Sequence, residues 1–334
     1  MARLFITGAS GFIGGHLVEK ALLDGHEVTV AVRQGSDLTR LKDPRVNQLS
    51  FPLGDVATMA RLLHKAGRFD WVIHNAGTTK AMSRAAYLEG NTENTRRLVE
   101  ALQIAAVIPD KFLFVSSLAA LGAAPEGNLR ISGDQTPQPL TPYGESKRLA
   151  ESMLTSMADD FPWVIVQPTA VYGPWERDIL TFVQWVNRGF ELRIGRRSQR
   201  LSFVHAKDVA GAVFCLLEAP NALHRNYIVS DGQSYVTEDL GRAVREALGR
   251  KRTITLRIPL GLVRQVSTVA EAISTLQQKP TALNRDKIPE LAAENWHCDA
   301  SPLLDGFYYR PEFDLYSGMK ETVDWYKRQG WIKG

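Results

Sequence analysis

Cysteine is scarce in this chain. The 334 residues hold two, Cys215 and Cys298, far apart and with no CxxC pairing. That excludes a disulfide framework and the spaced thiolates of a structural zinc site, and no metal is expected. An excess of one charge is missing as well. The formal net charge is +4 and the basic residues are scattered, which leaves no cationic face for nucleic acid. Only Arg193 to Arg200, RIGRRSQR, is locally cationic. No apolar run reaches the roughly 18 residues of a membrane span. The nearest, Ile258 to Leu276, is interrupted by Arg264 and Glu271 and reads as an amphipathic helix packed on the core. The first residues run into a strand with no charged leader or cleavage site, so the expectation is a soluble, cytoplasmic protein with no membrane partner. Repeats and low-complexity linkers are also absent. With 44% hydrophobic and 23% charged residues, the chain suits one large α/β unit or a large domain carrying a smaller one.

What is present is an alternation of short β-branched runs with longer helical patterns. Strands are expected at Arg3 to Ile6, Glu27 to Val32, Val46 to Phe51, Trp71 to His74, Lys111 to Ser116 and Trp163 to Gln167. Amphipathic stretches lie between them at Phe12 to Asp24, Thr58 to Ala66, Tyr87 to Ala105 and Tyr143 to Asp160. Such alternation implies right-handed βαβ units and a doubly wound parallel sheet, with ligands beyond the carboxyl ends of the strands. After Pro168 the rhythm loosens into short strands and helices such as Ala206 to Glu218 and Thr237 to Leu248. Residues 1–168 are therefore expected to form the sheet domain. Residues 169–334 form mainly a smaller lobe, with some segments returning to the sheet.

The opening RLFITGASGFIGGHL places Gly8, Gly11 and Gly14 between a buried strand and a helix. Unpaired N–H groups and the positive dipole end of that helix suit a pyrophosphate, and Gly11 supplies clearance for it. Binders of NAD carry an acidic residue at the end of the second strand, about 20 residues beyond the glycines. Here that strand ends at Val32-Arg33 with no carboxylate. Arg33, with Arg40 or Lys42 nearby, suits a ribose 2′-phosphate, so NADP is favoured over NAD. Asp37 is the acidic side chain within reach.

Tyr143 and Lys147 stand at i and i+4, on one helical face. An ammonium near a phenol favours the phenolate, so such a tyrosine can exchange a proton with an alcohol or carbonyl oxygen. Ser116 and Ser117 end the strand KFLFVS, and Ser117 precedes Tyr143 by 26 residues.

Together these segments resemble the short-chain dehydrogenase/reductase superfamily, in particular its extended branch of NAD(P)-dependent epimerases, dehydratases and related reductases. The resemblance spans nearly the whole chain and implies a Rossmann-type sheet with a C-terminal substrate lobe. It implies Ser117, not Ser116, as the catalytic serine, with Tyr143 and Lys147, the latter also bonding the nicotinamide ribose. It places Phe12 and Ile13 with the glycines at the pyrophosphate, Asp55 and Val56 at the adenine, and Asn75, Ala76 and Gly77 along the cofactor wall. Asn91 is implied to hold neighbouring strand ends together. Gln167 to Pro174, QPTAVYGP, resembles the RPxxVYGP stretch along the nicotinamide, with Pro168 and Val171 at the cofactor and Gln167 where arginine is usual. The wording VRQGSD resembles dihydroflavonol-reductase-type enzymes, which use NADP. Thr79, Leu118, Thr169 and Arg200 are implied at the substrate, and Arg285 or Arg310 are candidates for a second family arginine. A homodimer through the helices Tyr87 to Ala105 and Tyr143 to Asp160 is implied too.

Leu118 and Ala119 stand where sugar dehydratases carry an Asp-Glu pair, which disfavours dehydration. Ala120-Leu121-Gly122 replaces the Val-Tyr-Gly turn of epimerases, and the site mouth is more apolar than a sugar site. The expectation is an oxidoreductase acting on a small-molecule carbonyl or secondary alcohol. Alternatives are a nucleotide-sugar epimerase, to which Arg200 points, and a non-catalytic dinucleotide-binding regulator.

Overall fold

The computed structural model describes residues 1–157, 161–195, 197–265, 267–268 and 287–333. Seven strands form the central sheet: β1 (Arg3–Thr7), β2 (Glu27–Val32), β3 (Val46–Ser50), β4 (Trp71–His74), β5 (Lys111–Val115), β6 (Trp163–Pro168) and β11 (Asn226–Val229). Their order is β11-β6-β5-β4-β1-β2-β3, and every pairing is parallel. The order reverses between β1 and β4, where Leu4 pairs with Trp71 and Thr7 with His74. A crevice opens at such a switch point, beyond the strand ends.

Helices α1 (Phe12–Leu23) and α7 (Ala206–Glu218) cover one face of the sheet, while α2 (Val56–Ala66), α4 (Asn94–Ile104) and α5 (Pro142–Thr155) cover the other. Strands buried on both faces need apolar side chains at consecutive positions. In β1, Leu4 and Ile6 join Leu17 and Val213 on one side, while Phe5 joins Met59, Leu63 and Leu98 on the other. Phe5 is fully buried and packs edge-on to Phe51 at 5.0 Å and stacked on Phe69 at 5.2 Å. Lys111 begins β5 buried, its Nζ donating to the carbonyls of Leu216 and Ala219 at the end of α7. A cation there satisfies otherwise orphaned carbonyls.

Residues beyond Pro168 contribute β11 and α7 to this sheet and otherwise form short elements. These are β7 (Ala170–Tyr172), α6 (Asp178–Asn187), β8 (Phe190–Ile194), β9 (Arg200–Leu201), β10 (Phe203–His205), β12 (Tyr235–Val236), α8 (Thr237–Leu248) and β13 (Ile254–Ile258). The chain then continues through α9 (Ile288–Ala292), β14 (Asn295–Trp296), α10 (Ser301–Leu304) and α11 (Leu315–Arg328). Their own core gathers Tyr172, Val186, Phe203, Val244, Met319 and Tyr326.

Two expectations differ from the structure. The stretch expected as one helix from Tyr87 begins at α3 (Arg84–Tyr87) and widens into a π-helical segment, Leu88–Glu93, before α4. Asn91 sits in that wide turn, and periodicity cannot register an inserted residue of this kind. Helix α5 ends at Thr155; residues 158–160 lie outside the described residues. The stretch Ile258 to Leu276 is helical over 260–265 and 267–268, and 266 and 269–276 lie outside the described residues. Among the described residues no helix is long and apolar enough to cross a membrane.

Removing the Phe5 ring would open a cavity that two flanking rings cannot fill. Phe5→Ala is expected to destabilise the chain by about 3–5 kcal/mol, read from the denaturant midpoint.

Candidate active site

The glycine turn follows β1 directly. Gly8 takes φ +69°, and the Gly11 N–H donates to the Gly8 carbonyl at 3.1 Å. A Cβ on Gly14 would stand 2.1 Å from the Gly8 oxygen, so only glycine lets α1 begin this close to its own turn. Gly11 is the N-cap and no side chain caps the helix. The amides at Phe12 and Ile13 therefore meet no side-chain acceptor, and the backbone there is bare, which fits a pyrophosphate. Across the switch point Asn75 Nδ2 donates to the Gly8 carbonyl at 3.2 Å and the Ala76 N–H to Thr7 Oγ1 at 3.1 Å. Behind them His74 bonds Thr7 at 2.7 Å and Thr95 at 3.0 Å, and burial pushes its pKa down to about 3. This imidazole is a neutral strut.

Beyond β2 the charged candidates separate. Arg33 and Lys42 are exposed. Asp37 accepts from both the N–H and the hydroxyl of Thr39, at 2.9 and 2.6 Å. Arg40 turns inward: it donates to the Phe12 carbonyl at 2.9 Å, pairs with Glu19 at 2.8 Å and lies 5.0 Å over the Trp175 ring. Gly15 makes room for that guanidinium, since a Cβ there would overlap it at 2.0 Å. Arg40 is thereby engaged in the frame of the turn. Asp55 caps α2 by accepting from the Thr58 N–H at 3.0 Å, and Val56 packs against the core beneath.

Ser117, Tyr143 and Lys147 converge beyond the end of β5. Thr141 caps α5, accepting from the Gly144 N–H at 3.1 Å, with Pro142 in the first turn where its missing N–H costs nothing. Helix α5 then packs so closely on the short turn Leu118–Ala120 that a Cβ on Gly144 would lie 2.3 Å from the Ala119 oxygen. That approach sets Tyr143 beside Ser117, whose hydroxyl is near enough to favour the phenolate. Lys147 Nζ donates to the Val115 carbonyl at 2.8 Å and lies 4.6 Å over the Phe114 ring.

Burial dominates the titration of this cluster. It pushes Tyr143 up to about 12, opposed by the Ser117 hydrogen bond and reinforced by the charge of Glu290, and it pulls Lys147 down to about 8. The expected phenolate-favouring shift is therefore reversed. The phenol is desolvated, and the ammonium is itself desolvated and turned to a backbone carbonyl.

One turn further along α5, Glu151 accepts from the Ser116 hydroxyl and from Gln167 Nε2 at 2.9 and 3.0 Å. Burial pushes its pKa up to about 7, with those two neutral donors and then Lys147 opposing. Ser116 thus faces this buried network while Ser117 faces the cavity. Asn91 Oδ1 accepts from the Thr78 N–H at 2.7 Å, and its Nδ2 donates to the Thr78 carbonyl at 3.0 Å and to Ser146 Oγ at 2.8 Å. It ties the loop after β4 to α5, and Gly77 leaves space beside Asn91 and Lys147.

A cavity of about 400 Å³ opens at Ser117 and Tyr143. Of the residues expected at the substrate, Thr79, Leu118 and Thr169 line it, as does Pro168; Arg200 is exposed and outside the lining, although its neighbours Gln199, Leu201 and Ser202 are in it. Val171 follows on β7, partly buried against the sheet core. Arg285 lies outside the described residues, and Arg310 binds the Leu304 and Tyr309 carbonyls. Sequence reasoning did not find Tyr87, Thr141, Glu290, Leu291 or Trp296 in the lining. Thr141 was legible as a Thr-Pro helix cap and Glu151 as the next i+4 step after Lys147; the three tail residues carry no local signal.

A parallel sheet with a bare glycine turn at its switch point defines a dinucleotide-binding α/β protein. Residues 4–230 match the NAD dependent epimerase/dehydratase family. The chain belongs to that family and is an enzyme of the short-chain dehydrogenase/reductase type. It is 29% identical to a ceramide reductase of Caulobacter vibrioides, over 98% of this chain and 95% of that one. It is 27% identical to a UDP-glucose 4-epimerase of Vibrio cholerae, over 96% and 94%. Among solved structures, a UDP-glucose 4-epimerase from Thermotoga maritima superposes with a TM-score of 0.78 at 20% identity, covering 98% of this chain and 99% of that one.

The raised Glu151 pKa has a consequence for stability. A carboxyl that holds its proton up to about 7 in the fold but only to about 4.5 when unfolded stabilises the fold fully below pH 4.5. That contribution is lost as pH rises through 7. Unfolding free energy measured by denaturant across that window is expected to fall, by on the order of 3 kcal/mol. Glu151→Gln is expected to flatten the slope.

Proposed function

We propose that this enzyme interconverts a carbonyl and a secondary alcohol on a largely apolar small molecule, using NADP(H). The observation that carries this reading is the cavity lining. Leu118, Ala119, Leu201, Leu291 and Trp296 surround the Ser117 and Tyr143 hydroxyls, whereas Arg200, the side chain suited to a nucleotide-sugar diphosphate, is exposed and outside it. Similarity to a ceramide reductase along nearly the whole chain supports a reductase.

In this reading the amides of Phe12 and Ile13 would hold the pyrophosphate, where Gly8, Gly11 and Gly14 keep the backbone bare. Arg33, with Lys42, meets a ribose 2′-phosphate; the lack of a free carboxylate after β2, with Asp37 bound to Thr39, supports NADP over NAD. Asp55 and Val56 border the adenine. Asn75, Ala76, Gly77, Pro168 and Val171 border the nicotinamide half, and Lys147 bonds its ribose. The bound cofactor supplies a hydride to the carbonyl carbon. Tyr143 gives its proton to the carbonyl oxygen, and a phenol held at about 12 carries that proton throughout neutral pH. Ser117 donates a hydrogen bond to the same oxygen and fixes its direction. In the oxidative direction the Tyr143 oxygen, once deprotonated, would take the proton from the alcohol. Leu118 and Thr169, with Thr79, shape the space for the substrate body.

A homodimer through α4 and α5, acting in the cytoplasm, belongs to the same reading; light scattering is expected to give twice the chain mass. Titration is expected to show tighter binding of NADPH than NADH. Apolar ketones with NADPH are expected to give a net loss of nicotinamide absorbance, and nucleotide sugars none; sugar interconversion without absorbance change would favour an epimerase. Tyr143→Phe is expected to lower kcat by about 10²–10⁴-fold with cofactor binding intact.

A further inference from the structure

Glu290 is the one acidic side chain among the described residues that line the cavity of Ser117 and Tyr143. Its surroundings include Leu118, Ala119, Leu291 and Trp296, and burial pushes its pKa above the usual carboxyl range against the opposing charge of Lys287. A carboxyl group in such a place costs free energy unless its oxygens are bonded. Oε1 accepts from the Thr141 hydroxyl at 2.8 Å. Oε2 makes no hydrogen bond among the described residues. The backbone holds the group in place, because the Trp296 indole N–H donates to the Glu290 carbonyl at 3.1 Å.

Its position relative to the chemistry is set by Thr141. That residue is the N-cap of α5 and stands two residues before Tyr143, so the carboxyl is one hydrogen bond away from the helix start that carries the phenol. Its charge reaches the Tyr143 hydroxyl. Lys287 also lines the cavity, one turn away. An acceptor left open on the wall of the cavity that Ser117 and Tyr143 also line matches a donor on the ligand.

We infer that Glu290 is a specificity-determining residue that accepts a hydrogen bond from an N–H or O–H group on the carbon next to the reacting carbonyl, so that the preferred substrates are apolar ketones bearing such a donor. This rests on the oxidoreductase reading of the same site. The donor fixes which way the apolar body lies, and the carbonyl oxygen then falls to Tyr143 and Ser117.

The test uses the full chain saturated with NADP⁺ and three ketones of equal chain length: plain, 2-hydroxy and 2-acetylamino. Equilibrium binding is read by tryptophan fluorescence, since Trp296 lines the cavity. The wild type is expected to bind at least one donor-bearing ketone about tenfold more tightly than the plain one, and the tighter of the two identifies the donor. Glu290→Leu is expected to erase that preference, read as the ratio of donor-bearing to plain-ketone affinity, and Glu290→Gln, which keeps the shape and a neutral acceptor, to reduce it several-fold. Equal binding of all three ketones by the wild type, or a preference that survives in Glu290→Leu, would overturn the inference. If Glu290→Leu fails to fold, an undiminished preference in Glu290→Gln overturns it. Absorbance with NADPH and the same ketones reads turnover separately: preference in binding without any reduction counts against the oxidoreductase reading, and reduction without preference counts against the role of Glu290.

Discussion

Helix α5 lies on the turn after β5 with no room for a side chain between them, and the site depends on that contact. A Cβ at Gly144 would meet the Ala119 oxygen at 2.3 Å. Because the helix starts there, Tyr143 reaches Ser117, and one turn on Lys147 reaches the carbonyl that ends β5. A longer separation would leave a serine on one element and a tyrosine on another with nothing to act on together. Thr141 and Pro142 fix where the helix begins, and Asn91 fixes it from the side through Ser146. The π-helical turn that carries Asn91 is the backbone distortion this bracing requires.

Desolvation is the second constraint, and it dominates the titration of His74, Tyr143, Lys147 and Glu151. His74 stays neutral, Tyr143 holds its proton and Lys147 is pulled toward neutrality, each because water is excluded. Glu151 sits below Lys147 with a serine and a glutamine as its hydrogen-bond donors. Gln167 is a neutral donor, so the largest opposite charge acting on Glu151 is that of Lys147. The charge on the pair Lys147 and Glu151 is therefore a joint property, since each group's charged form is favoured by the other.

The sheet was legible because its strands are buried on both faces. Consecutive apolar residues in LFI, WVIH and KFLFV leave no other economical use for those runs, and their ends matched the structure to within a residue. The glycine turn and the i, i+4 pair were legible for a similar reason: each is local, so spacing alone sets its geometry. Arg40 shows where this fails. By position it belonged with Arg33 at the cofactor, but its side chain folds back over Gly15 to Glu19 and Phe12, and a choice among partners is invisible to spacing.

By itself the sequence determined the doubly wound sheet, the glycine turn at its switch point, and the serine, tyrosine and lysine at the strand and helix ends. The sheet, the turn and the tyrosine–lysine pair follow from hydrophobic period, backbone sterics or a short fixed spacing, whereas Ser117 was implied by the family resemblance. Only the tertiary structure decided that the phenol keeps its proton, that Arg200 stands outside the cavity, and that Glu290 and Trp296 from the far end of the chain stand inside it. Burial and proximity between residues some 150 positions apart arise when the whole chain packs, and no local pattern encodes them.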